Sequence, residues 1–552
     1  MTTPDPRTTA GFVPFRSELA QRYRAAGYWR GRPLGELLRR SARRRPDRTA
    51  VAGQDRMLSY AELDAAADRL ASGLTELGLA PGDRIVVQLG NTPTFAVALF
   101  GLLRAGVVPV LALPAHRTHE IGHLAAVSEA VGYLIPDRIG TFDYRSLAAQ
   151  VCQQAPSVRH VLVDGDPGPY TALAGVDATP CTLPEPDPGS IAVLLVSGGT
   201  TGPPKLIPRT HDDYDYNARA SAEVCGLDAD DVYLVTLPAA HNFPLACPGI
   251  LGTLGVGGTA VFLDDPSPEC AFAAIERHRV TVTAVVPPLA QLWCAAAEWE
   301  PADLRSLRLL QVGGSKLARS HARQVRPALG AQLQQVFGMA EGLLNFTRLD
   351  DPDDLVEISQ GRPMSAHDEI RIVDDDGREV APGAEGELLV RGPYTIRGYY
   401  RAPEHNLRAI TPDGFYRSGD RVRRLDTGHL VVTGRLKDVV NRGGENVAAD
   451  ELEEHLVAHP AIAQATVIGV PDEALGERIC AVLVVRGAAP TLPEVKEFLT
   501  SRGLAAYKTP DLVRTAPSLP VTAVGKIDKR AVLAAELRGD RGVAADDVVG
   551  RC

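Results

Sequence analysis

A chain of 552 residues is too long for one hydrophobic core and calls for two or more domains. Its 45% apolar and 23% charged residues are those of a globular protein and exclude a fibrous or disordered chain. A formal net charge of -10, with no long basic run, argues against general nucleic-acid binding. The start, Met1-Thr-Thr-Pro-Asp-Pro6, has no basic stretch followed by an apolar one, so no signal peptide is read. Eight cysteines without paired short spacings point to free thiols in a cytoplasmic, reducing setting. The most apolar segment, Phe95 to Leu113, is broken by Gly101, Arg104, Gly106 and Pro109. It predicts a buried helix, a turn and a buried strand, and no membrane span.

In chain order, Tyr60 to Leu70 has helical spacing and Arg84 to Leu89 reads as a strand. Leu99 to Leu111, Ala271 to His278 with Val280 to Val286, and Leu307 to Val312 repeat the alternation. That pattern predicts α/β layers around parallel strands. Between about 365 and 435 the character changes to strands and turns, with Glu369–Val373 and Gly386–Arg391 flanking the turn Asp374-Asp-Asp-Gly377. After Arg435 a small α+β unit is read, with helices near Asp450–Ala458 and Leu492–Ser501 and strands near Gln464–Val470 and Arg478–Val485. The expected fold class is α/β: a large N-terminal domain over 1–436, of layered α/β subdomains plus a β-rich one, and a small α+β domain over 437–552. From about Arg538 the chain is Gly- and Asp-rich and is expected to fray.

The chemistry starts at Ser197-Gly-Gly-Thr-Thr-Gly-Pro-Pro-Lys205, which follows the apolar run Ile191–Val196. Backbone N–H groups of Gly198, Gly199 and Gly202, with the hydroxyls of Ser197, Thr200 and Thr201, form a loop able to close around phosphate oxygens. Lys205 adds a positive charge. Two prolines before it and Leu206 after it exclude a Walker A loop. The order resembles the phosphate loop of the adenylate-forming superfamily, which comprises acyl- and aryl-CoA synthetases, luciferases and peptide-synthetase adenylation domains.

Five further segments carry that resemblance, in the superfamily's order. In Gln335-Val-Phe-Gly-Met-Ala-Glu341, a ring beside a glycine can lie flat on adenine and a carboxylate can hold Mg²⁺. The resemblance gives Phe337 and Gly338 to adenine and Glu341 to magnesium. Ala340 stands where much of the superfamily has Thr, so one hydroxyl contact is not expected. Gly313-Gly-Ser-Lys316 resembles the wall of the adenine and acyl site, with Gly313 toward the acid and Gly314 toward the nucleotide. Tyr416-Arg-Ser-Gly-Asp420 offers Asp420 to the ribose hydroxyls. Gly434 to Asn446 by itself reads as a basic loop with a turn. The resemblance assigns Arg435 to ribose and phosphate, Lys437 to the hinge of a mobile small domain, and Gly443 and Gly444 to the pantetheine path. Relatives often have Asp where Lys437 stands. In Pro520-Val-Thr-Ala-Val-Gly-Lys-Ile-Asp-Lys529 the resemblance makes Lys526 the adenylation lysine. Taken singly, each is also a solvated loop residue or a tight turn. With the phosphate loop, six in order over about 330 residues are not coincidence.

Gly11-Phe-Val-Pro-Phe15, Gln21 to Trp29 and His241-Asn-Phe-Pro-Leu-Ala-Cys-Pro-Gly249 resemble aryl-acid adenylating enzymes of siderophore assembly, closest to the salicyl-AMP ligases of mycobactin-type pathways. The resemblance implies ATP and Mg²⁺ as cofactors, salicylate as substrate and a phosphopantetheinylated aryl carrier protein as partner. Asn242 would bond the acid, and His241, Phe243 and Gly313 would wall its ring. Cys247 replaces a Ser, and Leu344 a Val, found in dihydroxybenzoate-activating relatives. Two core residues chosen for packing are the plain alternative for that pair. The alternative functions are a 2,3-dihydroxybenzoate-AMP ligase, an aryl- or acyl-CoA synthetase of the same fold, and a silent paralogue that merely binds nucleotide or carrier. Carboxylate-dependent exchange of pyrophosphate into ATP separates the last from the others.

Overall fold

The computed structural model describes residues 11–54, 56–197, 203–314, 317, 319–374, 376–435, 439–520 and 529–539. Local sequence sets many of its elements. Tyr60–Glu76 begins as a helix at Ser59, whose Oγ accepts from Glu62 N while the Glu62 carboxylate accepts from Ser59 N. Leu63, Ala66, Ala67, Leu70 and Leu74 recur at three and four residues along it and are buried. That face packs on the helix Pro93–Ala105. The two helices approach closely, since a Cβ at Gly101 would lie 2.7 Å from Leu70 Cδ2. Gly106 ends the second helix at φ 69°, which suits glycine.

Two sheets make the layers. One runs, in spatial order, Leu206–Thr210, Ile191–Val196, Val108–Leu111, Arg84–Val87, Gly132–Pro136, His160–Asp164, Thr171–Ala172. Its first pair is antiparallel and the following pairs are parallel. The other is parallel from Thr49–Ala52 through Thr259–Phe262, Val232–Val235, Val282–Val285 and Leu309–Gly313 to Gln332–Met339. It continues antiparallel into Gly342–Phe346 and Arg362–Pro363. Val108–Leu111, Val282–Val285 and Leu309–Gly313 are buried at every position, as parallel strands covered on both faces must be. Glu369–Val373, Glu385–Arg391, Tyr416–Arg424 and Leu430–Arg435 form an antiparallel sheet, the β-rich portion. The α/β architecture expected from the sequence is the one observed.

The chain splits into two compact units between the strand ending at Arg435 and the strand beginning at Val439, with 115–120 and 203–204 grouped with the second unit. The second unit has its own sheet, ordered Glu445–Ala448, Val439–Arg442, Gly476–Val485, Ile462–Asp472, with Leu512–Thr515 alongside Gly476–Val485. Its helix Leu492–Ser501 starts at a capping box of Thr491 and Glu494. Buried Lys508 bonds both oxygens of Glu451 at 3.0 Å. Val439–Arg442 and Glu445–Ala448 correct one expectation, because a hairpin stands where the sequence reads as a loop. Gly443 and Gly444 take φ of 59° and 90°, and two successive positive values are what a two-residue hairpin turn demands. Among the described residues no helix is long and apolar enough to cross a membrane.

Candidate active site

The elements that position the expected site residues are strands β1 (Ile191–Val196), β2 (Leu206–Thr210), β3 (Leu309–Gly313), β4 (Gln332–Met339), β5 (Gly342–Phe346) and β6 (Tyr416–Arg424), with helices α1 (His211–Val224) and α2 (Asn242–Ala246). β1 and β2 pair antiparallel around the expected phosphate loop. The loop is pinned at its base: Ser197 N donates to Lys205 O at 2.9 Å, and Lys205 N donates to Ser197 Oγ at 2.9 Å. Gly198, Gly199, Thr200, Thr201 and Gly202 lie outside the described residues.

β2 leads into α1 through Thr210, whose Oγ1 accepts from Asp213 N while Asp213 accepts from Thr210 N. This capping box places Asp213 beside Arg209, a guanidinium with 0% exposure. Arg209 Nε donates to Asp213 Oδ1 at 2.8 Å, one terminal nitrogen to Asn217 Oδ1 at 3.2 Å, and the other to Ala340 O at 3.0 Å. Its carbon sits 4.5 Å from the Tyr214 ring centre. A buried cation stands only when charge and hydrogen bonds are both answered, and here they are. Tyr214 passes the tie onward, its hydroxyl donating to Asn242 Oδ1 at 2.8 Å. The sequence reading missed Arg209, Asp213 and Tyr214. Its available signal was the polar run Arg209-Thr-His-Asp-Asp213 directly after the apolar Leu206-Ile-Pro208, and the run is buried.

α2 carries the expected acid-site residues. His241 caps it, its Nδ1 accepting from Phe243 N at 3.3 Å. His241 is exposed, and its protein surroundings hold the imidazole pKa below the usual range. It is a neutral group at pH 7. Asn242 Nδ2 donates to Cys247 Sγ at 3.4 Å, and Cys247 Sγ donates to Asn242 O at 3.4 Å. Cys247 is 1% exposed, and burial pushes its thiol up to about 12, so it stays protonated. The Phe243 ring lies against Gly313: a Cβ there would come 2.9 Å from Cε1 of the ring and 2.8 Å from Val336 O. Glycine is required at that wall. Gly314 follows at φ 86°.

β4 and β5 form the hairpin that carries the expected adenine segment, with Phe337 opposite Asn345 and Gly338 opposite Leu344. Asn345 Nδ2 donates to Phe337 O at 3.1 Å, and the Phe337 side chain is partly buried. Leu344 lies across Gly338, where a Cβ would come 2.3 Å from Leu344 Cδ2. Leu344 N donates to the Tyr394 hydroxyl at 3.0 Å, and that hydroxyl donates to Asp368 Oδ2 at 2.6 Å. Phe243, Cys247 and Leu344 belong to one continuous apolar core.

Glu341 is nearly buried, and Tyr399 donates its hydroxyl to Glu341 Oε1 at 2.7 Å. Its main chain is held too, since Ile396 N donates to Glu341 O at 2.7 Å. Asp420 sits on β6 opposite Arg435, with its N–H on Ser418 Oγ at 3.1 Å. Gly419, at φ 73°, lets that turn form. Among the described residues no group of three or more His, Cys, Asp or Glu side chains could cage a metal ion. A single hard carboxylate fits magnesium held chiefly by substrate phosphates. Gly443 and Gly444 belong to the second unit, and Lys437 and Lys526 lie outside the described residues.

The sequence profile of the AMP-binding enzyme family matches residues 38–400, and that of the AMP-binding enzyme C-terminal domain matches 451–526. The chain is 60% identical over 531 residues to the salicyl-AMP ligase / salicyl-S-ArCP synthetase of Mycobacterium tuberculosis, covering 95% of this chain and 94% of that protein. It is 51% identical over 522 residues to the 2,3-dihydroxybenzoate-AMP ligase of Bacillus subtilis, covering 95% and 97%. The apo structure of MbtA from Mycobacterium smegmatis superposes with a TM-score of 0.75 at 59% identity, covering 96% of this chain and 99% of that one.

Proposed function

The chain belongs to the AMP-binding, adenylate-forming enzyme family, and on that premise we propose that it joins salicylate to AMP and passes the salicyl group to an aryl carrier protein for siderophore assembly of the mycobactin type. In the first half-reaction a salicylate oxygen attacks the α-phosphorus of ATP, and the bond to pyrophosphate breaks. In the second, the carrier's pantetheine sulfur attacks the salicyl carbonyl, the thiol proton departs and AMP leaves. Neither step needs a Ser-His-Asp triad, because in-line positioning and charge neutralisation supply most of the catalysis.

The loop Ser197 to Lys205 cradles the triphosphate, its ends fixed by the two Ser197–Lys205 bonds. Phe337 faces adenine, with Gly314 and Gly338 allowing close approach, while Asp420 takes the ribose hydroxyls and Arg435 assists. Lys526 meets the attacking carboxylate and the α-phosphate as charge builds. Glu341, together with phosphate oxygens, would hold magnesium, whose charge would ease departure of pyrophosphate. Lys437 is the hinge, and Gly443-Gly444 lets the pantetheine arm run close to main chain. The seven described cysteines are free thiols, which fits a cytoplasmic enzyme whose reacting thiol comes from its partner.

Asn242 bonds the acid's 2-hydroxyl or carboxylate, and His241, Phe243 and Gly313 wall the ring. The observation that carries salicylate is the closed Asn242–Cys247 pair: the single S–H is spent on Asn242 O. A 3-hydroxyl placed there finds no good partner, at a cost of about 1–3 kcal/mol. Leu344 fills the remaining space. Labelled salicylate, ATP and a phosphopantetheinylated aryl carrier, mixed with the enzyme, should give labelled carrier. Label moving to free CoA in preference to every carrier would refute the assigned acceptor.

A further inference from the structure

Three buried side chains from separate segments meet behind the proposed nucleotide site. Tyr399 donates to Glu341 Oε1 at 2.7 Å, and its oxygen lies 2.9 Å from the Tyr416 hydroxyl. A tyrosine hydroxyl has one proton. Tyr399 spends its proton on the carboxylate, so the proton of the second bond comes from Tyr416. The His405 ring packs edge-on against Tyr399, with centroids 5.0 Å apart, and fixes its plane. Tyr416 opens β6, the strand that also carries Asp420.

We propose that Tyr399 and Tyr416 are positioning residues that aim the Glu341 carboxylate at the magnesium of Mg·ATP through a one-way chain, Tyr416 to Tyr399 to Glu341. This rests on the reading of Glu341 as the magnesium carboxylate. The Tyr399 bond holds Oε1 and so fixes how the carboxylate is turned. Donation from Tyr416 makes Tyr399 a stronger donor, because hydrogen bonds in series polarise one another. Partners of this kind hold metal ligands at their working angle, and their loss weakens metal affinity by about 10-fold or more.

The test uses full-length Tyr399→Phe, Tyr416→Phe and the double variant, with two readouts. One is the Mg²⁺ concentration giving half-maximal salicylate-dependent pyrophosphate exchange. The other is the rise in melting temperature that Mg·ATP produces over the metal-free protein. Tyr399→Phe should raise the half-maximal Mg²⁺ about tenfold and shrink the thermal rise, with KM for salicylate unchanged. Tyr416→Phe should shift it about threefold, and the double variant no further than Tyr399→Phe, because the chain runs through Tyr399. Values for Tyr399→Phe within twofold of wild type in both readouts overturn the proposal, as does full additivity of the two variants. A wild-type enzyme indifferent to Mg²⁺ in both readouts removes the reading of Glu341 and the proposal with it.

Discussion

The acid side and the nucleotide side of the proposed site are held in different ways. Asn242, Phe243, Cys247 and Leu344 are buried side chains, the last three in one apolar core, with Asn242 tied through Tyr214 toward Arg209. Ser197 and Lys205 are fixed through backbone at the mouth of a hairpin, Asp420 by a Ser-Gly turn, and Gly443-Gly444 is itself a turn. Acid selectivity is therefore written into the fold's packing, whereas the phosphate loop and the pantetheine path hang on turns and loops. A change on the acid side should cost stability and selectivity together. On the nucleotide side it should cost turnover and leave the fold intact.

The largest effect should come from Arg209. Arg209→Ala strands Asp213 in the interior and should destabilise the protein by about 3–5 kcal/mol in urea melts. Asp213→Asn in the same chain should recover part of that loss, and no recovery would mean that the ion pair is not the cause. Lys526→Ala should lose adenylation on the order of a hundredfold or more, about 3–4 kcal/mol, with an unchanged melting temperature. Transfer from preformed salicyl-AMP should survive. Exchange within a few-fold of wild type would exclude its role, and a fallen melting temperature would break the contrast between the two sides.

A smaller effect concerns Asp368, whose Tyr394 contact leads to Leu344. Burial raises its pKa from 3.8 to about 7, against the Tyr394 and Ser365 bonds. A raised folded pKa gives stability that is complete below the unfolded value and is lost as pH climbs toward the folded one. Wild type should therefore weaken between pH 4 and about 7 relative to Asp368→Asn, by at most about 1.4 kcal/mol per pH unit. Parallel stability profiles for the two proteins would show that Asp368 does not titrate there. The smallest effect is Cys247→Ser with Leu344→Val, which should shift relative kcat/KM toward 2,3-dihydroxybenzoate by about 1–3 kcal/mol. If the pair shifts stability alone, both residues serve packing only.

Elements with strong local signals were legible in the sequence. Ile191–Val196 is an apolar run between Pro-rich and Gly-rich stretches, and Leu492–Ser501 follows a Thr-x-x-Glu cap. The hairpin Val439–Ala448 was not, because its strands are four residues each and polar where they meet the turn, at Asn441-Arg442 and Glu445-Asn446. Site residues on named motifs were proposed from their order along the chain. Arg209 and Tyr399 were not, since Arg209 meets Ala340 across 131 positions and Tyr399 meets Glu341 across 58. Such ties exist only once distant strands have been brought together, and no window of local sequence carries them.

The central claim is that this packing selects salicylate, and the direct measurement is pyrophosphate exchange by the wild-type enzyme with each acid in turn. Burying an unpaired 3-hydroxyl at about 1–3 kcal/mol predicts kcat/KM for salicylate higher than for 2,3-dihydroxybenzoate by roughly five- to a hundredfold. Equal values, or a preference for 2,3-dihydroxybenzoate, would contradict the account.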